Sequence, residues 1–509
     1  MFENLFARKP LSLLLEEMEG EHRLRRVLGP VQLTSLGVGC IIGTGIFVLT
    51  GVAAHDKAGP ALILSFVVAG LACICSALCY AEFAAMAPVA GSAYTYAYAT
   101  LGELFAWIIG WDLVLEYTVA SATVAHGWSH YFQNFIGIFG LSIPLSISRA
   151  PFDIIPELGR LGPTGSVLDV PAIIIACIVT CILVVGIKES ASFNTVMVGI
   201  KVAVVFFVII VGAFYVHPAN WIPFAPYGLT GISLFGHTLV GQTGHGGEPL
   251  GMLAGAAMIF FAYIGFDSVS THSEEAKNPQ RDVPIGIIVS LLLCTVLYIA
   301  VSAILTGMVP YNKIDIDAPV ADAFRQAGLP GAQFVIALGA LAGITSVLLV
   351  LMLSQPRVFL AMARDGMVPE SFFGAVHPKF RTPYKSTILT GCVVGVLAAF
   401  VPLRILAELV NIGTLLAFVI VCAAVLIMRK TEPNAKRPFV CPMAPFVPIS
   451  GILLCALLMF SLPAENWLRL IVWLLLGFFI YFFYGRHHSV MARRRQKAQA
   501  DLPAPVSLN

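Results

Sequence analysis

Charge is what this chain has least of. Only 11% of its residues are Asp, Glu, Lys or Arg, against about 25% in a soluble domain. With 58% hydrophobic residues and a mean hydropathy of +0.88, too little polar surface is available to clothe a 509-residue globule in water. Composition alone makes this an integral membrane protein. Catalytic signatures are missing as well. No HExxH, GxSxG or P-loop occurs, and no DNA-binding module. A metalloprotease, a serine hydrolase, a nucleotide-driven pump and a nucleic-acid binder are therefore without support, and no enzyme, cofactor or metal site is expected. Gly37-Val38-Gly39 starts like a dinucleotide fingerprint, but the next glycine, Gly43, comes one position late and no strand precedes it. The 11 cysteines lie almost all inside apolar runs with no CxxC spacing, so no disulfide framework is expected. Cys177 and Cys181, four apart, read as small core residues on one helix face. His217, His237 and His245 occupy a glycine-rich connection without metal-ligand spacing and read as solvated. No cleavable leader is expected either. Residues 1–30 mix both charge signs and run into a full-length apolar segment, which is expected to direct insertion itself.

What the chain does have is long apolar runs. A spanning helix needs about 20 mostly apolar residues, and that rule gives twelve spans: 31–52, 61–86, 103–126 (extending towards 138), 170–187, 192–216, 250–269, 285–308, 332–355, 386–402, 405–428, 447–462 and 467–485. The fold class expected is all-α, with one transmembrane domain over residues 31–485, a cytoplasmic segment over 1–30 and a basic, disordered cytoplasmic tail over 486–509. With the N-terminus inside, 22 of the 30 Lys and Arg residues fall on the inner side. Seven fall outside: Lys57, Arg149, Arg160, Lys313, Arg325, Arg404 and Arg469. That bias, together with an even number of spans, places both termini in the cytoplasm and the protein in the cell membrane.

Two spans are interrupted. Ile41-Ile42-Gly43-Thr44-Gly45-Ile46-Phe47 breaks the first, and Phe261-Ala262-Tyr263-Ile264-Gly265-Phe266-Asp267-Ser268 breaks the sixth. Glycine-broken segments at corresponding places in two halves point to a transporter's binding site. An unbroken helix satisfies its own backbone groups, whereas an unwound turn at membrane depth exposes N–H and C=O groups to a cavity. Spans 1–5 and 6–10 then form two inverted five-helix repeats, followed by two extra helices. The outer half-helix starting near Gly45 carries roughly half a positive charge at its N-terminus. That suits a carboxylate, with Gly43 and Gly45 allowing close approach and Thr44 adding a hydroxyl. Around the second break, carbonyls near Phe261, Ala262 and Ile264 are expected to accept an ammonium group, with Phe261 as a gate. Asp267 is either part of this site or a helix-end residue at the inner interface.

Lys201, within Val198-Gly199-Ile200-Lys201-Val202-Ala203, is the sharpest candidate. It lies about ten residues from the inner end of its span, roughly 15 Å deep at about 1.5 Å per residue. An ionisable residue at that depth is a functional hypothesis by default, and here the role expected is proton coupling. Glu116, midway along span 3, carries the same cost and is expected to line the substrate cavity or relay protons. Asp112 shares its helix face at i,i+4 spacing. Thr345 and Ser346 in span 8 offer two hydroxyls for a sodium ion together with span 1 carbonyls. If Lys201 reaches that place, its ammonium occupies the cation position instead. Glu82, near the inner end of span 2, reads as an anchor or inner-gate residue.

These residues bring a family into view. Gly39-Cys40-Ile41-Ile42-Gly43-Thr44-Gly45-Ile46-Phe47, Tyr80-Ala81-Glu82-Phe83-Ala84 and Phe261-Ala262-Tyr263-Ile264-Gly265-Phe266-Asp267 match it. So do Glu274-Glu275-Ala276-Lys277-Asn278-Pro279 running on to Pro284, Gln355-Pro356-Arg357, and Ala363-Arg364-Asp365-Gly366. Over nearly its whole length the chain resembles the amino acid–polyamine–organocation superfamily, in its bacterial cationic amino acid transporter branch. The resemblance implies a LeuT-like fold with spans 1 and 6 unwound. It implies a substrate carboxylate at Thr44 and Gly45, an amine at carbonyls around Ile41, Phe261 and Ile264, and a lysine, matching Lys201, where sodium-coupled relatives hold sodium. A cationic substrate would further need a carboxylate partner, for which Glu116 and Asp267 are the candidates. The activity expected is proton-coupled uptake of a neutral or cationic L-amino acid by alternating access, with lipid and protons as the other partners. An amino acid exchanger on the same fold and a membrane amino acid sensor are the alternatives.

Overall fold

A computed structural model describes residues 7–10, 13, 26, 28–89, 91–155, 160–185, 188–244, 247–380 and 382–494. Most of the expected N-terminal segment, His245, Arg381 and the tail beyond residue 494 lie outside the described residues. Among those described, eight helices are long and apolar enough to cross a membrane, and four shorter apolar helices accompany them. Each of the twelve apolar stretches read from the sequence falls on helix.

Helix α1 (Pro30–Ile41) opens with a proline, whose missing N–H costs nothing in a first turn, while the Gln32 side chain accepts the Gly29 N–H at 3.0 Å. It stops at Ile41. The chain bends through Ile42 and Gly43 and resumes as π- and α-helical turns over Gly45–Leu49, Thr50–Ala53 and Ala54–Ala58. After α2 (Leu62–Met86) come a short α3 (Ala93–Thr100), the 35-residue α4 (Glu103–Gly137), α5 (Val170–Val185) and α6 (Lys188–Gly212). The second interruption separates α7 (Met252–Ile259) from α8 (Ser268–Thr271) by a 3-10 turn over Phe260–Tyr263 and a bend at Gly265. The remaining helices are α9 (Pro279–Met308), α10 (Pro319–Gln326), α11 (Pro330–Arg364), α12 (Tyr384–Phe400), α13 (Leu403–Thr431), α14 (Phe446–Phe460) and α15 (Ala464–Ile480). Helices α4 and α11 pack along one another. Helix α9 packs against both α1 and α2, so the two interruptions lie between these groups.

The core is one large apolar cluster studded with fully buried aromatics such as Trp107, Tyr80, Tyr117, Tyr263 and Tyr298, with a small second cluster at Ala87 and Val89. The outside is apolar too. Ile174, Ile178 and Ile182 project from α5, and Leu468, Ile471, Val472 and Leu475 from α15. Such surfaces are stable only where lipid rather than water meets them. Cys177 and Cys181 are exposed, which corrects the core reading. The buried stripe of α5 is Ala172, Ile175, Ala176, Val179 and Leu183, and the two cysteines stand on the lipid-facing side beside it. All eleven cysteines are free thiols. His217 and His237 are solvent-exposed.

Several elements were not foreseen. The long polar connections carry antiparallel hairpins, Phe152–Ile155 with Arg160–Pro163, Ile232–Leu234 with His237–Val240, and Gln242–Thr243 with Pro249–Leu250. The tail expected to be disordered from Arg486 onward continues as helix over Arg486–His488 and docks. Ser489 Oγ donates to Glu103 Oε2 at 2.5 Å, and the Val490 N–H to the Asp365 carbonyl at 3.0 Å. Ser489 thus meets the buried carboxylate of Glu103, whereas Val490 meets the backbone carbonyl of Asp365 just past the end of α11. Asp365 also takes Lys9 Nζ and Tyr94 OH at 2.8 Å each, and Glu103 takes Tyr98 and Tyr481 at 3.0 Å each. Lys9, Glu82, Arg357, Asp365 and Arg429 all belong to this end of the bundle, called the basic face below. Glu82 anchors it, accepting Arg429 Nη2 at 2.6 Å, Arg429 Nε at 3.1 Å and the Cys441 N–H at 2.8 Å.

Candidate functional site

The two interruptions meet. A methyl group on Gly45 would run into the Cα of Ala262 and lie 2.6 Å from its Cβ, so the two backbones touch where only glycine fits. Gly265 adopts φ +114°, a conformation open to glycine. A Cβ there would stand 3.0 Å from Cys40 Cβ. One contact joins the Gly45 side of break 1 to break 2, and the other joins the end of α1 to the bend before α8.

Opening a helix frees carbonyls that then need donors, and three side chains supply them. Tyr298 OH on α9 lies 2.7 Å from the Ile41 carbonyl and 2.9 Å from that of Ala262. A phenol has one proton to share between them, so each carbonyl keeps accepting capacity. Asn411 on α13 donates Nδ2 to the Ala257 and Met258 carbonyls at 2.9 and 3.1 Å, closing the end of α7. Tyr131 OH on α4 donates to the Phe47 carbonyl at 2.8 Å. None of these three was singled out from the sequence. The only signal was a polar group deep in an apolar run, which ordinary interhelical hydrogen bonding also produces.

A fourth donor to freed backbone is the lysine. Lys201, fully buried on α6, sends Nζ to the Ile42 carbonyl at 2.9 Å, to Ser346 Oγ at 2.8 Å and to the Gly39 carbonyl in a very short contact. The stem passes Gly343 of α11, where a Cβ would sit 3.1 Å from Lys201 Cβ. Two freed carbonyls and one hydroxyl around a positive centre form the kind of oxygen shell a cation takes. Of the two candidate hydroxyls, Ser346 points here. Thr345 points away, donating to the Leu341 carbonyl at 2.7 Å and accepting Trp128 Nε1 at 3.0 Å.

Thr44 is 1% exposed, and its Oγ1 has no hydrogen-bond partner. Its methyl side abuts Gly127 of α4. Ile41, Phe261, Ala262 and Ile264 line the same junction at 5% exposure or less. Beyond break 1, Tyr131 packs edge-on against Phe47 and Pro319 packs on Gly51. Asp267 comes to the junction's basic-face side. Its Oδ2 accepts Tyr117 OH at 2.7 Å, and its Oδ1 has no partner. Glu116 is buried on α4 with Oε1 unpaired. Asp112, one turn away beside Gly413, has neither oxygen paired. The junction thus offers an unpaired hydroxyl, half-used carbonyls and a tethered ammonium. These suit a small zwitterion whose carboxylate meets donors and whose amine meets carbonyls.

Comparison with known proteins bears on this geometry. The amino acid permease family profile matches residues 28–484. A methylthioribose transporter of Bacillus subtilis (strain 168) is 46% identical over 96% of this chain and 99% of its own length. The branched-chain amino acid permease BcaP of the same organism is 47% identical over 96% of this chain and 98% of its own. A vacuolar cationic amino acid transporter 4 of Arabidopsis thaliana is 32% identical over 94% of this chain and 95% of its own.

Proposed function

The chain belongs to the amino acid permease family, and from that premise we propose that it is a secondary active transporter that takes up an L-amino acid with protons, by alternating access across the cell membrane. It is a multi-pass membrane protein and a transporter rather than an enzyme. In the reading we propose, the eight long and four shorter helices make twelve passes. Spans 1–5 and 6–10 are inverted repeats as in LeuT, two helices follow, and the basic face and both termini are cytoplasmic. The substrate carboxylate meets Thr44 and the backbone at Gly43 and Gly45. The amine meets carbonyls at Ile41, Phe261, Ala262 and Ile264, and Phe261 closes over it. Glu116 and Asp267 are the side chains available to a basic substrate.

The observation that carries the proton reading is Lys201. Its Nζ sits among the Gly39 and Ile42 carbonyls and Ser346 Oγ, where a free cation would otherwise neutralise the opened helix. A covalently held cation cannot be carried through, so the particle free to bind and leave there is its proton. Three relatives whose names give a methylthio sugar, branched-chain amino acids and cationic amino acids leave the substrate to experiment. Thermal stabilisation of the purified protein against each amino acid and methylthioribose is the test, since a ligand specific to the folded state raises Tm by mass action. Stabilisation by an amino acid, followed by its pH-gradient-driven uptake into liposomes, is the expected outcome. Stabilisation by methylthioribose alone would overturn the substrate class.

A further inference from the structure

Two stretches that carry the family resemblance take no part in the junction, namely Glu274 to Pro284 and Gln355-Pro356-Arg357. In the fold they meet each other. Arg357 Nη2 donates to Glu275 Oε1 at 2.9 Å, across 82 positions of sequence and with side chains 10% and 16% exposed.

What stands behind each partner gives the pair its meaning. Glu275 belongs to a backbone seam. The Leu28 N–H donates to the Glu275 carbonyl at 3.0 Å and the Lys277 N–H to the Leu28 carbonyl at 2.8 Å, a parallel bridge centred on Leu28 and Ala276. Leu28 leads into α1 and the Ser273–Glu275 turn follows α8. The seam therefore joins the basic-face ends of both interrupted helices into one body. Arg357 stands on the other body. It follows Pro356 in α11, and the neighbouring Gln355 donates Nε2 to Thr118 Oγ1 of α4 at 2.6 Å, clamping α11 to α4 at this level.

We propose that the Glu275–Arg357 pair is the lock of the basic-face gate. Closed, it holds the seam body against the α4–α11 body and seals the junction from that face. Broken, it lets the ends of both interrupted helices swing away together. The form of the pair fits a contact that opens every cycle. Arg357 engages Glu275 through a single amine, and its Nη1 has no partner, so the planar fork is only half used. Glu82, on the same face, is a rivet by comparison. It accepts both Nη2 and Nε of Arg429, with Arg437 Nε 3.3 Å away and the Cys441 N–H at 2.8 Å. The proposal rests on the transporter reading for its purpose, though not for its test.

The test is hydrogen exchange, read by mass spectrometry on the full-length protein without substrate, for Glu275→Gln, Arg357→Gln and the exchanged pair Glu275→Arg with Arg357→Glu. Either single variant should speed exchange over residues 28–41 and 268–282 on the order of tenfold. Exchange over residues 45–58 and 315–326 on the opposite face should stay unchanged or slow. The exchanged pair should restore protection. Equal loosening of both faces would mean a merely structural tie and would overturn the lock, as would no change in the single variants. Should those variants not stay monodisperse, Arg357→Lys keeps the charge and displaces the donor. A partial speeding confined to the basic face is then expected, and wild-type exchange overturns the proposal. Absence of uptake by the wild type in liposomes would sink the transporter reading while leaving the exchange result intact.

Discussion

At the scale of single residues, Lys201 decides most. A lysine in the middle of an apolar run was legible because nothing else there is ionisable. Which hydroxyl it meets was not, because Thr345 and Ser346 are adjacent and face about 100° apart on a helix of about 3.6 residues per turn. A hydrogen bond to a charged group contributes about 1.5–3 kcal/mol, so Ser346→Ala should lower Tm by several degrees while Thr345→Val, which leaves the ammonium untouched, lowers it less. Scanning fluorimetry of the two variants checks the order. Lys201→Ala should abolish uptake driven by a pH gradient yet spare part of substrate binding. Full pH-dependent uptake by that variant would remove the coupling role. Thr44→Val deletes an unpaired buried hydroxyl and should weaken every substrate by roughly ten- to a hundredfold, the same hydrogen-bond range converted to affinity. Unchanged titration curves would argue against carboxylate binding at Thr44. Tyr298 and Asn411 escaped the sequence because their partners are backbone carbonyls of distant segments, which no spacing rule reveals.

At the scale of elements, the two interruptions were legible because glycine marks them, and the reason for glycine is now geometric. Gly45→Ala would push a methyl into Ala262, and overpacking of this kind typically costs about 1–3 kcal/mol. Adding Ala262→Gly removes the Cβ clash but not the one with Cα. The double variant should therefore recover less than half of the lost binding in a thermal-shift titration, and full recovery would show the contact to be side-chain only. What escaped the sequence are the elements with little apolar periodicity. Helices α3 and α10 are eight residues each, too short to register as spans, and the hairpins of the long connections are two to four residues per strand. The docked tail was missed because its partners, Glu103 and Asp365, are nearly 400 and about 125 positions away in sequence. Cys177 and Cys181 were misplaced because a helix apolar all round does not announce which side faces lipid.

At the scale of the whole molecule, composition alone disclosed the membrane, and the outward isoleucines and leucines of α5 and α15 are the structural form of that statement. Substrate-loaded liposomes at equal pH inside and out separate the two transport readings. A proton symporter should still catalyse counterflow and should gain net accumulation once a gradient is imposed, whereas an exchanger shows counterflow and gains nothing. The tethering of the cation at the junction has an electrical corollary. A sodium ion bound there would leave whole, whereas the amine of Lys201 stays on α6 through every turn and gives up only its proton, so the carrier resets neutral. In the proposed cycle the proton alone moves net charge with a zwitterionic substrate, one positive charge inward per molecule. A negative interior should then drive accumulation by about 2.3 kcal/mol for every 100 mV, and substrate added to a membrane-supported layer of the protein should produce an inward current.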